Sequence, residues 1–428
     1  MRGERLRTVG WGAETPRSGR NAAPPADQSG ISCPQRQTPF VLVRCSPKNR
    51  HIDVPQTTSS TQFDEKQTDA LRSIRMSRII LPVLIGIGVV GYLLWKQFDP
   101  EEFRRIEWTS HAFLWIGAAV FLLVVRHLAY ATRLRILTEG EFSWKKCIEL
   151  IFIWEFSSAV SPTSLGGSAV AFFVLAQEKL STAKTATIVL YTVVLDTAFF
   201  VLTLPILFAI FGAGMIRPGM ESFADLDVWG YYFIFAYVLM ATYGTIIAWG
   251  LFRNPINFKR LLVWFTKFGF LRRFRTGAIE TGNEMVLASQ EMSKRDWKFH
   301  LGAFLATATA WSCRFLLLNC LIIALVPAVP LEVYPQLELY ARLETMFVII
   351  AFSPTPGGAG FVEILFNGFL TDYVTNSTLS TTISTIWRLL TYYSYLIAGV
   401  IIIPNWLRTI LNERNRRRLE REQNQSAA

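Results

Sequence analysis

From Ile79 onward the chain returns again and again to long runs of residues with almost no charge. Such runs admit few folds. A hydrocarbon core about 30 Å thick is crossed by a helix of about 20 apolar residues. Inside that core every backbone N–H and C=O must be satisfied without water, which leaves helices and closed barrels. The runs here are too long for barrel strands of about 9–11 residues. Six of them qualify as full spans: Ile79–Trp95, Ala112–Thr132, Ala183–Phe211, Gly230–Phe252, Leu301–Val326 and Ser380–Ile403. The expected fold is therefore all-α, a polytopic helical membrane protein. A hydrophobic content of 51% and a mean hydropathy of +0.31 over 428 residues agree with it.

Two further apolar runs are short. Cys147–Val160 has 14 residues and ends at "AVSPTSLGGSAVAFF", residues 159–173. A second, over 337–352, ends at "AFSPTPGGAGFVEILF", residues 351–366. A 14-residue helix is about 21 Å long at 1.5 Å per residue, less than the core. Each signature is followed by another short helical stretch, Ser168–Gln177 and Gly360–Thr371. The loops supply a check, because Lys and Arg collect on the cytoplasmic side. Segments 72–78, 133–146, 253–298 and 404–421 are basic, whereas 96–111, 212–228 and 327–336 are acidic or neutral. The sidedness closes only if 147–177 enters and leaves on the cytoplasmic face and 337–372 on the outer face. The expectation is six full spans plus two opposed re-entrant hairpins, in an inverted repeat with halves at about 79–211 and 230–403. Both termini then lie in the cytoplasm. The long loop 253–298 carries apolar residues at helical spacing, as for an amphipathic helix on an anionic leaflet.

Broken helices at matching positions of inverted halves point to a transport site near the bilayer midplane. Paired Gly leaves backbone amides open, and a helix N-terminus presents those amides to an anion. Ser161, Pro162, Gly166 and Gly167 of the first signature and Pro354, Pro356, Gly357 and Gly358 of the second are therefore candidate substrate-binding residues. Charges within apolar runs are costly and mark pathways. Asp196 follows Ser161, and Arg388 follows Ser353, by the same offset, so the two are expected to approach each other or the substrate head group. Arg314 suits bidentate phosphate binding, and Glu363 on the helix after the second signature suits a cationic head group or a proton. Glu155 and Glu344 precede their signatures. Arg126 lies close enough to the end of its span for snorkelling to the interface to be the leading reading. Structural pairing or packing competes at each position, and ordinary helix-packing notches compete for the Gly pairs.

A net charge of +11 is explained by topology, so no nucleic-acid partner is expected. The five Cys form no CxxC pair and the four His are scattered, so no metal and no cofactor is expected. Without a phosphate-binding loop of the Walker type, ATP hydrolysis is not expected either. Residues 1–75 read as a disordered extension, or as sequence upstream of a start at Met76. Residues 76–410 read as the membrane domain and 411–428 as a basic cytoplasmic tail.

"SPTSLGGSAVAFFVLAQEKLSTAKTATIVLYTVVLDTAFFVL", "FSPTPGGAGFVEILF", "WSCRFLLLN" and "WRLLTYYSYLIAG" resemble the membrane region of lysylphosphatidylglycerol synthase/flippases, over about residues 79–410. Many relatives carry a Gly-Glu pair and a nearby Arg at the first signature; here Ser168 and Ala169 follow Gly167. The resemblance implies a flippase moving a polar-headgroup lipid between leaflets: an anionic or aminoacylated phospholipid, or a lipid-linked precursor. The partners it implies are membrane lipids, in a bacterial inner membrane. Residues 404–428 leave no room for the cytosolic aminoacyl-transferase domain of bifunctional members, so no enzyme activity is expected. Two readings stay beside it: a membrane subunit for a separate lipid-modifying enzyme or glycosyltransferase, and a small-solute transporter.

Overall fold

The computed structural model describes Glu101, Arg104 and residues 108–160, 171–178 except 173, 180–353, 361–374 and 377–426. The expected first span, 79–95, and the extension 1–75 lie outside them. Among the described residues every regular element is helical, and five helices are long and apolar enough to cross a membrane. The chain is an integral membrane protein by that measure.

The helices are α1 (Ser110–Leu137), α2 (Trp144–Val160), α3 (Thr182–Phe211), α4 (Val228–Phe252), α5 (Pro255–Phe265), α6 (Arg275–Met292) and α7 (Trp297–Leu325). They continue with α8 (Val333–Ala351), α9 (Phe361–Phe369), α10 (Ser377–Arg388) and α11 (Ser394–Ser426). Polar side chains set their starts by accepting orphan amides of the first turn. Thr109 caps α1, Ser181 caps α3, Asp227 caps α4 and Asp296 caps α7. Asn254 caps α5, with Pro255 in the first turn, where a missing N–H costs nothing.

Several boundaries differ from those read in the sequence. α1 runs five residues past Thr132, so Arg133 and Arg135 belong to the helix, not to a loop. The basic stretch 253–298 is not one helix but two, because Thr266 and the tight turn Gly269–Phe274 fold α6 back against α5. α6 also packs on α3 and buries Met285, Ala288 and Met292 there. After Arg388 the helix makes one wider π turn, Leu389–Tyr393, before continuing through Pro404 into the basic tail.

α7 is the central helix: 67% of its most apolar window is buried, against 28% for α1. Its main partner is α1. Arg133 bonds Thr307, and Ile136 lies nearest Gly302, so residue numbers fall on one helix as they rise on the other. The two are antiparallel. Small residues bring other pairs close: the backbone of Gly399 on α11 leaves no room for a Cβ beside Phe156 of α2, and Gly244 of α4 none beside Thr197 of α3.

The two short runs have a shared geometry. At 17 and 19 residues, α2 and α8 are about 26 and 28 Å long. Lys146 at the start of α2 binds Glu178 at 2.6 Å, so the segment 146–178 returns to where it began. Tyr373 donates to the carbonyl of Pro335 at 3.4 Å, so 335–373 does the same. α3 relates the two. Its first turn, at Lys184, pairs with Glu141 just before α2, and the Phe211 ring at its far end lies 5.0 Å from that of Tyr334 in the first turn of α8. The two segments therefore close at opposite ends of the helix bundle.

Candidate functional site

On α1, Arg126, Tyr130 and Arg133 are spaced i, i+4, i+7 and share one face. That face meets α7 and α2. Arg126 is fully buried, donates to Glu155 of α2 at 2.8 Å and to the Tyr395 hydroxyl of α11 at 3.1 Å. Its guanidinium lies 5.1 Å from the Tyr130 ring and 5.4 Å from the Tyr395 ring. The snorkelling reading of Arg126 is thus overturned: α1 extends further than expected, which leaves this side chain at mid-helix with a buried carboxylate to hold it. His127 completes the cluster, with Nδ1 at 3.2 Å from the same Tyr395 hydroxyl.

About two turns along α1, Arg133 donates to Asp196 of α3 at 2.5 Å and lies 4.7 Å from the centre of the Tyr130 ring. Trp311 of α7 also donates to Asp196, at 3.0 Å. The ion pair of Asp196 is therefore with Arg133, not with Arg388 as the matching offsets suggested. The offset equates positions in the two halves, but the partner of a carboxylate is set by the helices packed around it, here α1 and α7. Arg388 itself is 3% exposed, at the last turn before the π turn, 5.9 Å from the Tyr392 ring. π turns recur at functional sites.

Arg314 of α7 joins the first cluster. It stacks against Phe347 at 4.6 Å and Trp311 at 5.5 Å, and Arg126, Tyr130, Glu155 and Tyr395 all act on it electrostatically. Among the described residues no carboxylate pairs with it, and its Nε has no hydrogen-bond partner. Three guanidinium groups, of Arg126, Arg133 and Arg314, thus stand against two carboxylates, of Glu155 and Asp196. The seam carries one excess positive charge, and a planar guanidinium fork matches phosphate or carboxylate oxygens in pairs. Asp196 and Glu155 keep 29% and 20% of their side chains exposed, so the seam is reachable rather than sealed.

The remaining candidates divide. Ser161, Pro162, Gly166 and Gly167 of the first signature, and Pro354, Pro356, Gly357 and Gly358 of the second, lie outside the described residues. Glu363 lies on α9, but its side chain is likewise outside them. Arg133, Tyr130 and Tyr395 are members that sequence reading missed. The i, i+4, i+7 spacing with Arg126 was the available signal, hidden once the span was ended at Thr132.

A family model described as the lysylphosphatidylglycerol synthase TM region matches residues 79–399. A "UPF0104 membrane protein" of Archaeoglobus fulgidus is 23% identical over 350 residues, which cover 76% of this chain and 95% of that protein. No solved structure matches.

Proposed function

Because this chain belongs to the family of lysylphosphatidylglycerol synthase transmembrane regions, we propose that it is a lipid flippase, moving a phosphate-bearing lipid or lipid-linked precursor between leaflets. The observation that carries this reading is the Arg126–Arg133–Arg314 seam, with its one excess positive charge inside apolar helices. An uncompensated Arg at this depth is expensive and is retained where it faces a polar path. A head-group phosphate would take the unpaired fork of Arg314, while Glu155 and Asp196 hold the other two guanidiniums in place. The acyl tails would stay in the surrounding lipid.

On this reading the segments 146–178 and 335–373, whose ends meet at opposite ends of the bundle, are re-entrant hairpins from opposite faces. With residues 79–95 as a further span, both termini lie in the cytoplasm of the cell that makes the protein.

The test is reconstitution in liposomes with leaflet-labelled phosphatidylglycerol, an aminoacylated phosphatidylglycerol, phosphatidylethanolamine and a polyprenyl phosphate. Wild type should scramble one head-group class selectively, and Arg314→Gln should slow it at least about tenfold, the loss of one charge-assisted bond. Folded protein that moves none of them would overturn the reading and favour a membrane subunit of a separate lipid-modifying enzyme.

A further inference from the structure

The two halves each carry an Arg on a long helix and a Glu on the following short one. Twenty-nine residues separate Arg126 from Glu155, and thirty separate Arg314 from Glu344. In the first half the pair is formed, at 2.8 Å. In the second it is not. Glu344 is fully buried on α8, and among the described residues it has no cationic partner. One of its oxygens, Oε2, has no hydrogen-bond partner at all.

The other oxygen makes a contact that a proton on the carboxyl group would satisfy. Oε1 contacts the Thr203 hydroxyl of α3, and that hydroxyl lies 2.7 Å from the carbonyl of Phe199. A hydroxyl has one proton to give. When Thr203 donates to the carbonyl one turn back, its contact with Glu344 can be a hydrogen bond only if Glu344 is the donor. A carboxylic acid satisfies both contacts in series: Glu344 to Thr203, Thr203 to the Phe199 carbonyl. A bare carboxylate would leave one contact repulsive and a full charge buried with no ion-pair partner among the described residues, and such groups take up a proton instead.

The ionisable neighbours on each packed element leave that conclusion standing. α4 presents Tyr237, α8 itself Tyr340, and α7 Cys313 and Arg314. α3 presents Thr203, with Asp196 already bound to Arg133. Arg342 of α8 is held by Glu338 and Asp372. Glu363 of α9 has a side chain outside the described ones. On α7, Arg314 stacks on Phe347, three residues after Glu344 and so on the same side of α8.

We propose that Glu344 is a proton-binding site that couples this chain's transport to protons, by competing with the lipid phosphate for Arg314. The inference rests on the transport reading above. With Glu344 protonated, Arg314 is free for phosphate. When the proton leaves, the new carboxylate takes Arg314 and forms the second half's copy of the Arg126–Glu155 pair, which releases the phosphate. The proton is the only species gained or lost, and no covalent bond besides O–H changes.

Liposomes with an imposed pH gradient test this. Wild type should move lipid several-fold faster down a proton gradient than against it. Glu344→Gln, which keeps the contact to Thr203 but cannot titrate, should scramble lipid with no dependence on the gradient. Wild-type transport indifferent to the gradient, or a gradient response that survives in Glu344→Gln, would overturn the coupling while leaving the flippase reading intact. Infrared spectroscopy supplies a readout independent of transport. A protonated-carboxyl band near neutral pH should be present in wild type and missing from Glu344→Gln. Its absence from wild type overturns the proposal even if no lipid moves. Glu344→Asp guards against misfolding of the Gln variant and should retain both the band and a gradient response.

Discussion

Arg126 and Glu155 are the residues whose removal the fold should feel most. Taking one partner from a buried ion pair leaves a charge with nothing to hold it, typically at a cost of about 3–5 kcal/mol, whereas replacing both by apolar residues of similar volume is often close to neutral. Arg126→Met should therefore lower the unfolding midpoint in detergent sharply, and Arg126→Met/Glu155→Met should restore most of it. A double variant no better than the single one would mean that the Tyr395 and Tyr130 contacts, not the ion pair, hold the site. At this scale the sequence was half legible. Charges in apolar runs stood out, and Arg126, Asp196, Arg314 and Glu155 were all noticed. Which charge meets which was not, because partners on different helices are chosen by packing, and a span ended five residues early hid Arg133.

At the scale of elements, α2 depends on close backbone approach by α11. A Cβ on Gly399 would sit 2.2 Å from a ring carbon of Phe156 and 2.7 Å from its Cβ, so the ring cannot simply swing away. Gly399→Ala should cost about 1–3 kcal/mol by overpacking, seen as a lower midpoint, and Phe156→Leu beside it should recover part of the loss. The turn between α1 and α2 is constrained differently. Glu139 adopts φ +56°, a left-handed conformation that favours Gly, because its carboxylate is tied to Lys184 at 2.9 Å and to Arg295. The hydrogen bond from Lys184, then that from Arg295, holds its pKa below the usual carboxylate range. A carboxyl depressed in the folded state stabilises above its ordinary pKa, and that contribution drains away as pH falls through the ordinary value toward the folded one. With the group 40% exposed, the expected size is that of a surface pair, about 0.2–1 kcal/mol. Wild type should thus lose more stability on acidification than Glu139→Gly, which gains back backbone strain but forgoes the ion pairs. Both short runs were readable in advance, since length against bilayer thickness and a Pro-Gly signature are local properties. The fold-back of α5 on α6 was not, because periodicity reports an apolar face without saying what covers it.

For the molecule as a whole, topology makes the sharpest prediction. Cysteines placed at Lys146 and Glu178 should react with a membrane-impermeant thiol reagent from one side only, and cysteines at Gln336 and Tyr373 from the other. Labelling of the two pairs from a common side would rule out opposed hairpins. The charge asymmetry of the loops is the sequence feature from which that sidedness is expected; the structure adds that the ends of 146–178 and of 335–373 meet. The rim of the bundle near the start of α2 also separates two kinds of cohesion. Glu139, Lys184 and Arg295 tie the starts of α3 and α7 to the end of α1 through partly exposed charges, while Arg133, bound to Asp196 of α3 and Thr307 of α7, ties the same helices through a mostly buried guanidinium. Dissolved ions screen the first within about 8–10 Å at ordinary salt and reach the second far less. Ionic strength is therefore a dial on one end of this protein alone: concentrated salt should slacken the rim, as faster amide exchange around 138–143, while the interior pairing of the same three helices holds.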